Sequence, residues 1–196
     1  EAIGGTAVFD TSGSNNTGIM MNGPVPVQGK FGKAIRFDGV NDYVTFDGND
    51  FTPDTVSVWF KTTTSSTVAL ISPQSGGGEP VGWGILMFGG KIRAYSAYDT
   101  SYNYVESINV LNDNKWHYTV AVSTGGTTHL YIDGILQTGD SGTEMDLGNQ
   151  NGYIGAHYKT GDPNITKYFN GLIDQVRIYN YARTPAQIAW EYNRGA

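Results

Sequence analysis

The stretch Tyr168-Phe-Asn-Gly-Leu-Ile-Asp-Gln-Val-Arg-Ile-Tyr-Asn-Tyr-Ala-Arg-Thr-Pro-Ala-Gln-Ile-Ala-Trp-Glu-Tyr-Asn193 reads as a strand, a turn and a short helix. From Leu172 to Tyr179 the side chains alternate. The alternation predicts Leu172, Asp174, Val176 and Ile178 on one face, and Ile173, Gln175, Arg177 and Tyr179 on the other. Asp174 is the anomaly, because it falls among aliphatics on the face expected to enter a core. A buried carboxylate is costly unless it is ion-paired, hydrogen-bonded or bound to a metal. Something electropositive should meet it, and a hard cation such as calcium takes oxygen ligands. After the strand, Thr184 suits an N-cap and Pro185 the first helical position. The helix is expected to run to about Tyr192.

Outward from that stretch, the chain reads as many short strands. Val56, Val58 and Phe60 alternate with Ser57, Trp59 and Lys61. A hairpin of 83–88 and 91–97 is expected around Gly89-Gly90, and a second, of 116–123 and 127–133, around Gly125-Gly126. Ala34–Phe37 and Asp42–Phe46 flank a tight turn at Asp38–Asn41. Pro24 and Pro26 are expected to break the chain. Asp99–Tyr104 is expected as a loop followed by a strand over 105–110. No repeat, linker or second-domain signal interrupts residues 1–196, so a single domain is expected. Short strands with turn signals between them point to a sandwich or barrel.

Composition sets outer limits. The 27 glycines and seven prolines suit tight turns, and β-branched and aromatic residues favour strands. A net charge of −6 without basic runs argues against a nucleic-acid partner. No apolar run approaches the roughly 18 residues of a membrane span, so no membrane insertion is expected. No signal peptide is visible, and Glu1 reads as the start of a mature or excised piece. Cysteine is absent, which removes disulfide and thiol chemistry.

Four blocks carry a family resemblance. They are Asp10-Thr-Ser-Gly-Ser-Asn-Asn-Thr-Gly18, then Gly29-Lys-Phe-Gly-Lys-Ala-Ile-Arg-Phe-Asp-Gly-Val-Asn-Asp-Tyr-Val44, then Lys115-Trp-His-Tyr-Thr-Val-Ala-Val122 with Leu130-Tyr-Ile-Asp-Gly134, and finally Gly171 to Ile188. In this order they resemble the laminin-G-like jelly-roll domains of the concanavalin A-like lectin/glucanase superfamily. The resemblance implies an all-β fold: a two-sheet antiparallel jelly-roll sandwich with a short C-terminal helix. It also implies a structural calcium held near the N-terminal loop, the second-block turn and the last strand, which map onto Asp10, Asp38, Gly39 and Asp174. The residues themselves leave another reading open. Asp10 and Asp38 are turn-formers that can bond their own backbone, and Arg36 can pair with Asp174.

Catalysis finds little support. The related laminarinases and lichenases carry a Glu-x-Asp-x-x-Glu run, since retaining hydrolysis needs two carboxylates about 5 Å apart. Glu144-Met-Asp-Leu-Gly-Asn149 imitates the run but ends in Asn. No Gly-x-Ser-x-Gly elbow and no His-rich metal spacing exist. His117 reads as a half-exposed strand histidine. Sugar binding is better served, because it needs exposed aromatic faces with amides and carboxylates nearby. Trp83, Tyr98, Asp99, Tyr102, His157 and Tyr158 are the candidate ligand residues. Some tyrosines of the 95–104 stretch can instead pack as cross-strand pairs, and Tyr95 and Tyr104 are the ones expected as core or pair residues. The expected function is a non-catalytic module that binds carbohydrate or glycoprotein, extracellular or at the cell surface, within a larger protein. A structural or adhesion domain without a sugar site, and a glycoside hydrolase, are the alternatives.

Overall fold

The computed structural model describes residues 2–4, 6–47, 54–73, 82–98, 101–139, 151–158 and 165–194. In chain order the strands are β1 (Ala2–Gly4), β2 (Ala7–Phe9), β3 (Gly18–Met21), β4 (Val25–Gln28), β5 (Lys33–Asp38) and β6 (Tyr43–Phe46). Next come β7 (Thr55–Lys61), β8 (Val68–Pro73), β9 (Gly82–Phe88), β10 (Lys91–Tyr98), β11 (Ser101–Glu106) and β12 (His117–Thr124). The last are β13 (Thr127–Ile132), β14 (Ile135–Leu136), β15 (Gly152–Ile154), β16 (His157–Tyr158), β17 (Ile165–Thr166) and β18 (Asn170–Tyr179), followed by helix α1 (Pro185–Arg194).

They form two antiparallel sheets. Nine strands run β1-β2-β3-β6-β15-β8-β9-β10-β11, and seven run β14-β13-β12-β7-β18-β5-β4. A small β16-β17 pair stands apart. The main core lies between the sheets. Val56, Val58 and Phe60 of β7 meet Ile71, Trp83, Ile85 and Met87 there. The expected sandwich and closing helix are present.

Local chemistry explains most boundaries. Gly125 and Gly126 have φ of 60° and 78°, the double positive φ that a two-residue hairpin turn requires. Thr184 caps α1 in both directions: its Oγ1 accepts from the Gln187 N–H, and its own N–H donates to Gln187 Oε1 at 2.9 Å. Two expectations are corrected. Pro26 does not break the chain; it sits within β4, the edge strand, where a missing N–H is tolerated. The polar segment after Tyr98 is not a loop up to Tyr104, because β11 already begins at Ser101 and pairs with β10.

The central strand holds the largest departure. Between Asp174, opposite Trp59, and Arg177, opposite Ser57, β18 takes three steps where β7 takes two. Gln175 sits at φ 48°, the left-handed residue of this bulge. One extra residue reverses the facing of all that follows. Ile173 points into the main core, and after the bulge Val176 and Ile178 do so as well. Asp174 therefore does not share a face with Val176 and Ile178. It lies on the outer side of the seven-stranded sheet, in register with Trp59, under the turn at 29–32.

Candidate functional site

The outer face of the seven-stranded sheet is closed. Trp59 is stacked on Tyr118 (centroids 5.0 Å apart) and on Tyr192 of α1 (5.7 Å), with the edge of Phe31 against it at 5.5 Å. Ile188 of the helix is fully buried in the same cluster. Buried Glu191 pins α1 down. It accepts hydrogen bonds from Tyr118 Oη at 2.7 Å and Tyr179 Oη at 3.0 Å, and it pairs with Arg183.

Among the described residues no helix lies on the outer face of the nine-stranded sheet. Toward the β9–β10–β11 edge, register sets Leu86, Arg93 and Glu106 in one row, and Gly84, Tyr95 and Tyr104 in the next. Tyr95 lies against Gly84, where a Cβ would be 2.4 Å from its Cε1, so the glycine makes room for a ring pressed to the strand. With Ala69 and Leu86 it forms a small buried cluster. Beside it stands a column of three residues from three strands. The Arg93 guanidinium lies 3.8 Å from the Phe88 ring centroid and 4.3 Å from that of Tyr104. Arg93 Nε donates to Glu106 Oε2 at 2.6 Å, and Lys91 Nζ reaches Glu106 Oε1 at 3.2 Å. Burial works to raise the Glu106 carboxyl, but the two cations outweigh it and hold the group below its ordinary range. Phe88 and Tyr104 remain 46% and 44% exposed. Two aromatic rings thus face solvent in fixed positions, with charged groups between them.

Residues 38–189 match the Laminin_G_3 family model of the concanavalin A-like lectin/glucanases superfamily. The chain belongs to this family. Solved structures share the fold of this laminin-G-like domain. The binding domain of Paraclostridial Mosquitocidal Protein 1 superposes with TM-score 0.75 at 16% identity, over 98% of this chain and 51% of that one. The botulinum neurotoxin serotype D binding domain gives 0.72 at 18%, over 95% and 48%. Domain 4 of AbnA, a GH43 extracellular arabinanase from Geobacillus stearothermophilus solved in complex with arabinotriose, gives 0.71 at 21%, over 91% and 89%. The chain spans about half the length of the two toxin domains. No match to a curated protein was found. Among the described residues no helix is long and apolar enough to cross a membrane.

Within this laminin-G-like domain Trp83, Tyr98 and Tyr102 fall on the neighbouring strands β9, β10 and β11, and His157 and Tyr158 on β16. Trp83 is a correction. It is 0% exposed and alternates with Ile85 and Met87 into the main core, so its ring meets no ligand. The run Trp83, Ile85, Met87 already carries that signal in the sequence. Asp99 lies outside the described residues, as does the Glu144–Asn149 run. Tyr98, Tyr102 and Tyr158 are described in their backbone alone, within β10, β11 and β16. His157 is half-buried in β16, opposite Thr166. Tyr95 and Tyr104 stand opposite each other across β10 and β11, Tyr95 buried and Tyr104 exposed. The column of Phe88, Arg93 and Tyr104 was missed. The Gly89-Gly90 turn sets β9 against β10, but nothing in the sequence sets the register of β11.

The calcium set does not assemble. Asp10 takes the N–H of Ser12 at 2.8 Å and of Asn16 at 2.9 Å. Burial pushes its carboxyl up, and those bonds more than reverse the push. Asp38 Oδ1 accepts from Val40 N–H at 2.8 Å, and Gly39, at φ 79°, lets that turn close. Asp174 Oδ2 accepts from Phe31 N–H at 2.9 Å. Calcium takes six to eight oxygens; these carboxylates face N–H donors. Among the described residues no three of His, Cys, Asp or Glu come together in a metal-holding group. One loose end remains, since buried Asp174 Oδ1 has no hydrogen-bond partner among the described residues.

Asp10 also rims a cavity of about 470 Å³ where the main core ends. Val8, Val44, Phe46 and Ile154 line it from one sheet, and Val176 and Ile178 from the other. His117 is not a bare strand histidine. Its Nδ1 lies 2.8 Å from Asp133 Oδ2 and its Nε2 3.0 Å from Asp113 Oδ1. The bond to Asp133 chiefly raises its pKa, against the pull of burial. Both ring nitrogens are thus occupied in tying the 113–117 segment to the 133 turn.

Proposed function

We propose that this chain is a non-catalytic carbohydrate-binding module of a larger extracellular protein, and that it binds through the open β9–β11 end of its nine-stranded sheet. One observation carries the reading. Phe88 and Tyr104 are large, nearly half exposed and held in place by the arginine between them. Sugars pair an apolar ring face with hydroxyls, and fixed aromatic rings beside charged hydrogen-bonding groups meet both needs. The arabinanase domain supports the reading, since it matches over most of its own length and its structure holds arabinotriose. Two glutamates lend further support. Glu106 is shared by Arg93 and Lys91, and Glu191 by two tyrosines and Arg183. Carboxylates committed in this way are poorly placed to trade protons with a glycosidic bond.

The test is calorimetric titration with a panel of neutral and acidic oligosaccharides, beside an assay of reducing-end release. Binding by the native chain should be lost in a Phe88→Ala/Tyr104→Ala double variant that still melts cooperatively, and no reducing ends should appear. Binding that survives the double variant moves the site elsewhere. Turnover of any glycan would make the chain a hydrolase.

A further inference from the structure

Resting on that carbohydrate-binding reading, we propose that Arg93 is a receptor for a sugar carboxylate, so that the open end selects uronates or sialates over neutral sugars.

The geometry of the guanidinium is the reason. A guanidinium has two edges that can each grip a carboxylate through paired N–H groups. Glu106 is bonded through Nε. Nη1 and Nη2 have no partner among the described residues. The edge between them is left for a ligand. Phe88 and Tyr104 stack on the planar group at 3.8 Å and 4.3 Å and restrict its tilt. An arginine held this way has already lost much of the rotamer freedom that a ligand would otherwise have to remove.

Charge agrees with geometry. Arg93 and Lys91 share the single carboxylate of Glu106, which leaves one positive charge over, at the surface of a chain whose net charge is −6. The Arg93 side chain is 18% exposed, so its attraction for an anion is less screened than that of a free surface lysine. A purely neutral ligand would meet the guanidinium only through hydroxyls and would leave its charge unmatched. A carboxylated sugar uses all three members of the column.

The experiment is calorimetric titration of the whole chain with trigalacturonate and with sialyllactose, each beside its carboxyl methyl ester, and with arabinotriose. One acid at least should bind about tenfold or more tightly than its ester, in line with a charge-assisted bidentate pair, and which acid does so identifies the source. Arg93→Lys keeps the charge and loses the fork, and should erase most of that preference by weakening acid binding several-fold more than ester binding. Arg93→Met fills the column without charge and should erase the preference fully. Melting curves check that both variants fold, and the acid–ester comparison on the native chain needs no variant. Acids and esters binding equally would overturn the carboxylate receptor while leaving the carbohydrate module standing. A preference that persists in both variants would overturn it too, by assigning the carboxylate to another cation. If no saccharide binds, the module reading fails and takes this inference with it.

Discussion

The two outer faces of the sandwich use the same residue types to opposite ends. On the seven-stranded sheet, Trp59, Tyr118 and Tyr192 stack under a helix, and a buried glutamate gathers two tyrosine hydroxyls and an arginine. On the nine-stranded sheet, Phe88 and Tyr104 stack on an arginine that a glutamate steadies from the side. Among the described residues only the first has a lid. Aromatic and charged groups under a lid are consumed by one another. Without a lid the same groups keep their outer edges, and a ligand can take the place the helix holds on the other face.

The comparison would break at once if the covered face were not the stabilising one. Trp59→Ala should show the largest effect. It removes a fully buried ring that touches the helix, the 29–32 turn and β12 together. Loss of a core tryptophan costs about 3–5 kcal/mol, which denaturant unfolding will register as an earlier midpoint. Glu191→Gln comes next. It leaves Arg183 buried without its counter-charge, for a loss of about 1–3 kcal/mol, and Arg183→Met in the same chain should restore part of it. A Glu191→Gln chain as stable as the native one would mean that the helix is held by apolar packing alone.

How much of this was legible follows from where the information sits. The Gly125-Gly126 turn, the Thr184 cap and the alternation of β7 are local, and each was readable within a few residues. The bulge in β18 was not. Its left-handed residue is Gln175, and a glutamine carries no signal for positive φ as glycine would. Counting on by twos from Leu172 then sends Val176 and Ile178 to the face of Asp174, and makes that outer face look like the core. Trp83 could have been read from its spacing to Ile85 and Met87, but exposure was inferred from residue type. The Arg93 column joins three strands, so it exists only once two registers are known. Aspartates were legible as turn-formers and not as ligands, because an Asx turn and a calcium loop share a composition.

Folding also shifts a carboxylate on each face in opposite directions, Asp174 on one and Glu106 on the other, and this sharpens the contrast. Burial raises Asp174, against the bonds from the 30–31 backbone. The cations beside Glu106 lower it, against burial. A carboxyl raised on folding favours the folded state most at low pH, and that contribution is lost as pH rises from its ordinary 3.8 through its folded value. A carboxyl lowered on folding does the reverse, and its contribution is lost as pH falls from 4.5 through its folded value. Melting between pH 3 and 7 should therefore improve for Asp174→Asn relative to the native chain as pH rises. Glu106→Gln should fall behind the native chain over the same range. The Asp174→Asn comparison should read the same with calcium or with chelator, since Asp174 meets N–H donors. A chelator-dependent melt that vanishes in Asp174→Asn would restore the ion.

The smallest stability effect belongs to Tyr104→Ala, and there the two faces should separate most cleanly. Its ring is 44% exposed and faces a guanidinium that Phe88 still stacks and Glu106 still bonds. An exposed cation–π contact is worth about 0.5–1 kcal/mol, so the midpoint should move several-fold less than in Trp59→Ala. Binding should respond in the opposite order. Trp59→Ala, assayed well below its own melting temperature, leaves the open end intact and should titrate ligand with unchanged affinity. Tyr104→Ala removes one side of the column, frees Arg93 to swing and should weaken binding about tenfold, the scale of a single aromatic hot-spot contact. The measurement is a pair of titrations and a pair of melts on the two variants. If Tyr104→Ala unfolds as early as Trp59→Ala, or binds as tightly as the native chain, the open column is packing like its covered counterpart, and the distinction between the faces is lost.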